Sequence, residues 1–148
     1  MDSHAVLGHI FDGPLSAYAL YRVNFNRETY EAIKPSEIVH NELSQTGPYH
    51  KLLHLIVEAI EPDAQEEYLR NFSCESIRDL VSRKVRDFGG DFRRRFGDEY
   101  RWVSIRVLFD ETLPEEVVLC FREVEQEKQY QLYERKLLKD SLESAQRT

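Results

Sequence analysis

Between Tyr18 and Phe25 apolar side chains fall on alternate residues, Ala19, Tyr21, Val23 and Phe25, in a stretch dense in aromatic and β-branched residues. That period of two predicts a strand with one buried face. The turn-forming run Asn24-Phe25-Asn26-Arg27 leads into a second such stretch, Thr29 to Ile33, so the pair reads as a hairpin. After the break at Thr46-Gly47-Pro48 the period lengthens. From Tyr49 to Ile60, Leu52, Leu53, Leu55, Ile56, Ala59 and Ile60 gather on one helical face, with His50, Lys51, His54 and Glu58 opposite. Pro62 ends this helix. Asp63, with Glu66 three residues on, predicts a capping box for a second helix, Ala64 to Asn71, and Ser73 predicts the cap of a third, Glu75 to Arg86.

Beyond Phe88-Gly89-Gly90, read as a glycine turn, the period returns to two. Phe92 to Phe96, a turn at Gly97-Asp98 and Tyr100 to Phe109 predict a hairpin whose second strand buries Val103, Ile105, Val107 and Phe109 and turns Trp102, Ser104, Arg106 and Leu108 the other way. Glu116 to Arg122 follows as a further strand. From Glu123 onward there is no Gly or Pro, and the Glu, Lys, Gln and Leu content predicts one long terminal helix. At the other end, residues 2–11 predict a short helix that stops before Gly13-Pro14. The expected organisation is an N-terminal helical segment over 1–14, a domain over 15–125 in the order β-β-α-α-α-β-β-β, and an exit helix over 126–148.

With 148 residues, 41% of them hydrophobic and 32% charged, the chain has enough apolar content for one core. No apolar run reaches the roughly 20 residues of a membrane span and the start lacks the pattern of a leader, so the expectation is a chain that is neither exported nor membrane-spanning. Cys74 and Cys120 make no disulfide framework, which fits a reducing, cytoplasmic compartment. The net charge of −7 is uneven: residues 78–106 carry 9 basic and 5 acidic groups, while both flanking stretches are acidic. Because Arg93-Arg94-Arg95 falls in a predicted strand, those side chains alternate between faces and form no single nucleic-acid patch.

Tyr100-Arg101-Trp102 and Val118-Leu119-Cys120-Phe121-Arg122-Glu123-Val124 resemble the "yRW" and "vl.RDIT" stretches near the end of PAS sensors. Together with the element order, the chain over about residues 15–125 is similar to the divergent PAS-like modules that precede histidine kinase or GGDEF (diguanylate cyclase) domains in bacterial signal transduction. The resemblance implies a five-stranded antiparallel sheet with a helical crossover, an α+β fold, and an exit helix that relays a signal. Where such domains place an Asp and then a Thr at the junction, this chain has Glu123 and Glu125. An acidic contact at Arg122, Glu123 and Val124 survives that change, and the Thr hydroxyl is lost.

Other constellations are weaker. Asp87-Phe88-Gly89 lacks the catalytic and glycine-rich loops of a kinase, and Gly89-Gly90-Asp91-Phe92 lacks the Glu of GGDEF. His50, His54 and Glu58, spaced by one helical turn, are the sharpest metal candidate, and a solvated helix face explains them without a ligand. Cys74 at a helix start could have a lowered thiol pKa and a redox role, whereas Cys120 reads as a small sheet residue. No nucleophile elbow, phosphate loop or flavin-bonding Asn-Cys-Arg is present, so the reading is not an enzyme, with no cofactor named. On the terminal helix Tyr130, Tyr133, Leu137, Leu138, Leu142 and Ala145 form an apolar stripe that slips at Leu137-Leu138. It predicts a homodimer; the alternative is a helix folded back on its own sheet. The run Leu137 to Ala145 resembles a linker before a histidine kinase dimerisation domain, which is preferred over a GGDEF effector in cis. The functional expectation is a cytoplasmic sensory module with a small-molecule ligand as one input; a ligand-free dimerisation module and a small standalone enzyme are the competitors.

Overall fold

A computed structural model describes residues 17–146, and the expected helix within residues 2–11 lies outside them. Strands β1 (Ala19–Asn24) and β2 (Thr29–Lys34) form the first hairpin. Its turn is held by the Asn24 side chain, which accepts from the amides of Asn26 at 3.0 Å and Arg27 at 2.9 Å. Helix α1 (Glu37–Glu42), strand β3 (Thr46–Pro48), helix α2 (Tyr49–Ala59), a 3₁₀ turn (Pro62–Ala64), α3 (Gln65–Asn71) and α4 (Cys74–Ser82) make the crossover. Strands β4 (Asp87–Phe96), β5 (Glu99–Leu108) and β6 (Glu116–Glu123) follow, and α5 (Glu125–Gln146) leaves directly from β6.

The six strands form one antiparallel sheet in the order β3-β2-β1-β6-β5-β4, so the first and last strands of the domain meet at its centre. The expected phase holds. Val103, Ile105 and Val107 share a buried core with Tyr21 and Val23, set by pairs such as Tyr21↔Leu119, Ile105↔Phe121 and Phe92↔Val103. Against this face the helices lay Leu52, Ile56, Tyr68, Phe72 and Ile77. Tyr68 stacks on Phe72 with ring centroids 4.7 Å apart and meets Phe92 edge-on at 5.5 Å. On the opposite face Ala17, Leu20, Leu108, Val118 and Cys120 form a second buried cluster. Leu108, grouped by its period with polar neighbours, is therefore as buried as Val107. The unbroken apolar run Val117–Phe121 is that of a strand buried on both faces.

Five expectations are corrected. The sheet has six strands, because Thr46-Gly47-Pro48, read as a break, pairs with Thr29, Tyr30 and Glu31 as a short edge strand. A fourth crossover helix, α1, precedes it. The capping box at Asp63 and Glu66 does not form, since Pro62–Ala64 is a 3₁₀ turn and α3 begins without a side-chain cap. Ser73 does cap α4, accepting from the Ser76 amide at 3.1 Å, but that helix ends at Ser82 because Lys84 takes a left-handed conformation, φ 58°. Finally, Gly89-Gly90 is strand, not turn: a Cβ on Gly89 would stand 2.4 Å from the Ile105 carbonyl oxygen and 2.5 Å from the Arg106 side chain. Glycine is there because the side chain of Arg106 crosses the strand at that point.

Candidate functional site at the strand to helix junction

The chain passes from β6 to α5 without a loop, so whatever fixes the first turn of α5 fixes the helix. Val124 is 6% exposed and buries its side chain against the module, as expected, while its amide donates to the Trp102 carbonyl at 2.9 Å. The Trp102 amide in turn donates to Oε1 of Glu125 at 2.8 Å. Strand β5 therefore grips the helix start through both backbone groups of one residue, Trp102. This bond holds the Glu125 carboxyl below the ordinary glutamate range, with the Gln129 side chain adding to the effect from one turn along the helix.

Glu123, expected to hold the helix base through an arginine or backbone amides, pairs with Arg101 at 3.4 Å, an exposed contact of modest strength. Arg101 also binds Glu99 at 2.7 Å. Arg122 meets Glu127 at 3.1 Å, across the junction from strand to helix. Lys128 reaches back over the sheet, its ammonium 4.7 Å from the Trp102 ring centroid and 3.2 Å from Asp91 on β4. A cation over an indole at a partly exposed site contributes about 0.5–1 kcal/mol. Of the expected junction residues, Arg122 pairs with Glu127, Glu123 with Arg101, and Val124 is buried. Sequence reasoning named Glu125 at the junction without a partner, quoted Trp102 for its resemblance alone, and missed Lys128 and Asp91. The signal was a bare Trp facing away from the apolar side of β5, one strand over from a glutamate at the helix start.

Beyond the junction, Tyr130, Tyr133, Leu137, Leu138 and Leu142 are 48–63% exposed, and no residue of α5 is buried. The fold-back alternative is therefore not what this structure has. His50, His54 and Glu58 are exposed on the outward face of α2, and among the described residues no group of three or more metal-ligating side chains converges. Arg93 and Arg95 are exposed while Arg94 turns to the helical side, so the three do not form one patch. Cys74 is buried, and burial pushes its thiol up to about 11, the reverse of an activated helix-start cysteine. Cys120 is also buried and is likewise pushed up to about 11. Among the described residues no helix is long and apolar enough to cross a membrane.

Neither protein-family models nor curated proteins give a match to this chain.

Proposed function

We propose that this chain is a PAS-like regulatory module of a bacterial signalling protein, which pairs with a second copy through α5 and passes a change in its sheet to an effector in cis, a histidine kinase in preference to a diguanylate cyclase. The observation that carries the pairing is α5 itself: 22 residues leaving the domain with a full apolar stripe in water. A solitary helix of that length is marginal, and a facing copy would bury the stripe. The relay is supported by the junction, where the backbone of Trp102 on the second strand from one edge, together with Asp91 on the edge strand, holds the helix base. A shift of β4 and β5 against β6 alters the helix exit, provided the module has two arrangements that a signal binds unequally.

The test is cysteine cross-linking. A single cysteine at Leu137→Cys, on the stripe, should form a symmetric disulfide dimer under mild oxidant, and one at Lys139→Cys, on the other side of the helix, should not. Equal yields at both positions would remove the seam. A second reading, a ligand-free interaction module, is favoured by the filled interior, where Tyr21, Tyr68, Phe72 and Phe121 are all essentially inaccessible.

A further inference from the structure

Strand β4 is the long edge of the sheet, 10 residues against 3 in β3 at the other edge, which ends in Pro48. Edge strands usually carry a proline, a bulge or a cover that keeps other chains off. β4 has no proline, and it pairs with β5 without a bulge from Asp87↔Leu108 to Phe96↔Glu99. Near Arg93 it is covered. The Glu61 amide donates to the Arg93 carbonyl at 2.9 Å and Ile60 bridges antiparallel to Arg94, after which Pro62 turns the chain away. Among the described residues no backbone takes up the free side of the first half, Asp87 to Asp91. Alternate residues of an antiparallel strand present their backbone groups to the same side, so Gly89 and Asp91 face outward as Arg93 does, each with an N–H and a C=O.

Beside this open stretch runs a groove of about 370 Å³ between α4 and β4, lined among others by Glu75, Asp79, Leu80, Arg83 and Phe88. Leu80 is buried and Phe88 packs against the core, so the floor is apolar. The rim is acidic. Asp79 is neutralised by Arg83 at 3.0 Å, while Glu75 is exposed and has no partner among the described residues.

We propose that the first half of β4 accepts an extended segment of another protein as an added antiparallel strand. Main-chain bonds to Gly89 and Asp91 supply the affinity, and the groove selects the sequence. Residues directly opposite each other in an antiparallel pair share a face, so the partner's side chains opposite Phe88 and Gly90 point into the groove and those opposite Gly89 and Asp91 point the other way. Gly90 has no side chain to obstruct the one opposite it. The fitting segment therefore alternates, with an apolar residue for Phe88 and Leu80 and a Lys or Arg for Glu75 on one side, and small polar residues on the other. This surface shares no residue with α5, so either reading can fail alone.

The probe is the synthetic peptide acetyl-Lys-Thr-Val-Thr-Lys-Thr-Val-amide, titrated to about a millimolar into the isotopically labelled full chain and followed by backbone amide shifts. Saturable shifts are expected, largest at Gly89 and Asp91. The same peptide with Pro for its central Thr lacks a main-chain donor toward β4 and should not bind. Glu75→Lys should weaken binding roughly threefold or more, the scale of an exposed ion pair turned repulsive. Glu42→Lys, the same charge change on α1, should bind as the unaltered chain does. The spectra themselves show whether each variant is folded. No saturable shift, shifts centred elsewhere, equal binding of the Pro peptide, or undiminished binding by folded Glu75→Lys would each overturn the site. If Glu75→Lys does not fold, Glu75→Gln replaces it, and undiminished binding there counts against the site equally. Shifts at Gly89 and Asp91 that follow protein concentration without peptide would place a second copy on this edge and overturn the proposal as well.

Discussion

Trp102 and Glu125 are 23 positions apart and joined by one hydrogen bond, amide to carboxylate at 2.8 Å, that ties the second strand from the sheet edge to the first turn of the terminal helix. Because Val124 donates to the carbonyl of the same tryptophan, the helix start is held by backbone geometry more than by the surface pair Glu123–Arg101. Glu125→Ala should therefore cost about 1 kcal/mol of stability, the usual value of a lost hydrogen bond at a partly exposed site. Glu123→Gln should cost less than about 0.5 kcal/mol. Urea unfolding followed by Trp102 fluorescence measures both, and a larger loss at Glu123 would reverse the assignment of roles.

The same bond gives a pH dependence with a fixed sign. Glu125 has its folded pKa depressed, first by the Trp102 amide, so its contribution is fully present above the pKa of an unfolded glutamate and is lost as pH falls through the lower folded value. The stability difference between the unaltered chain and Glu125→Ala should hold steady at neutral pH and shrink on acidification through that window. A difference that grew toward acid would contradict the hydrogen bond.

Val124 is the apolar half of the junction. Val124→Asp places a carboxylate where there is no partner and should cost about 2–3 kcal/mol, read as a clear fall in the urea midpoint. Gly89→Ala should be comparably damaging, about 1–3 kcal/mol, because its Cβ meets the backbone of Ile105 and neither strand can yield cheaply. Gly90→Ala, where the nearest atoms belong to the Phe92 ring at 3.1 Å, should be milder. Equal losses at the two glycines would show that the strand pairing of β4 and β5 differs from the one described.

Both thiols should be slow to react. With Cys74 and Cys120 buried and their thiols pushed up to about 11, the thiolate fraction at neutral pH is small, and alkylation by iodoacetamide should lag a free cysteine by orders of magnitude until the chain is unfolded. Rapid labelling of Cys74 in the folded chain would restore the redox role that its place at a helix start implied.

The elements with a strong period were legible. The phase of β5, the face of α2 and the Ser73 cap each follow from several residues that agree. The elements that were missed are short. Helix α1 has one buried residue, Val39, and β3 is three residues long with a Pro at its end, so neither leaves a periodic trace. The glycine pair was misread because its meaning lies in a long-range contact, the Arg106 side chain crossing Gly89 from the next strand. For the same reason the Trp102 amide that binds Glu125 was not foreseen at the junction. Which partners Glu123 and Glu125 reach depends on how β5 aligns with β6, where Val103 faces Glu123, and local sequence does not specify that register.

The most direct test of the account is the assembly state. Sedimentation velocity of the unaltered chain on the order of tens of micromolar, a range set by ordinary weak-dimer affinities, should give a dimer. The double variant Leu137→Glu, Leu138→Glu changes only exposed positions of α5 and should sediment as a folded monomer. A monomeric unaltered chain at that concentration, or a dimer that survives both substitutions, would contradict pairing through α5.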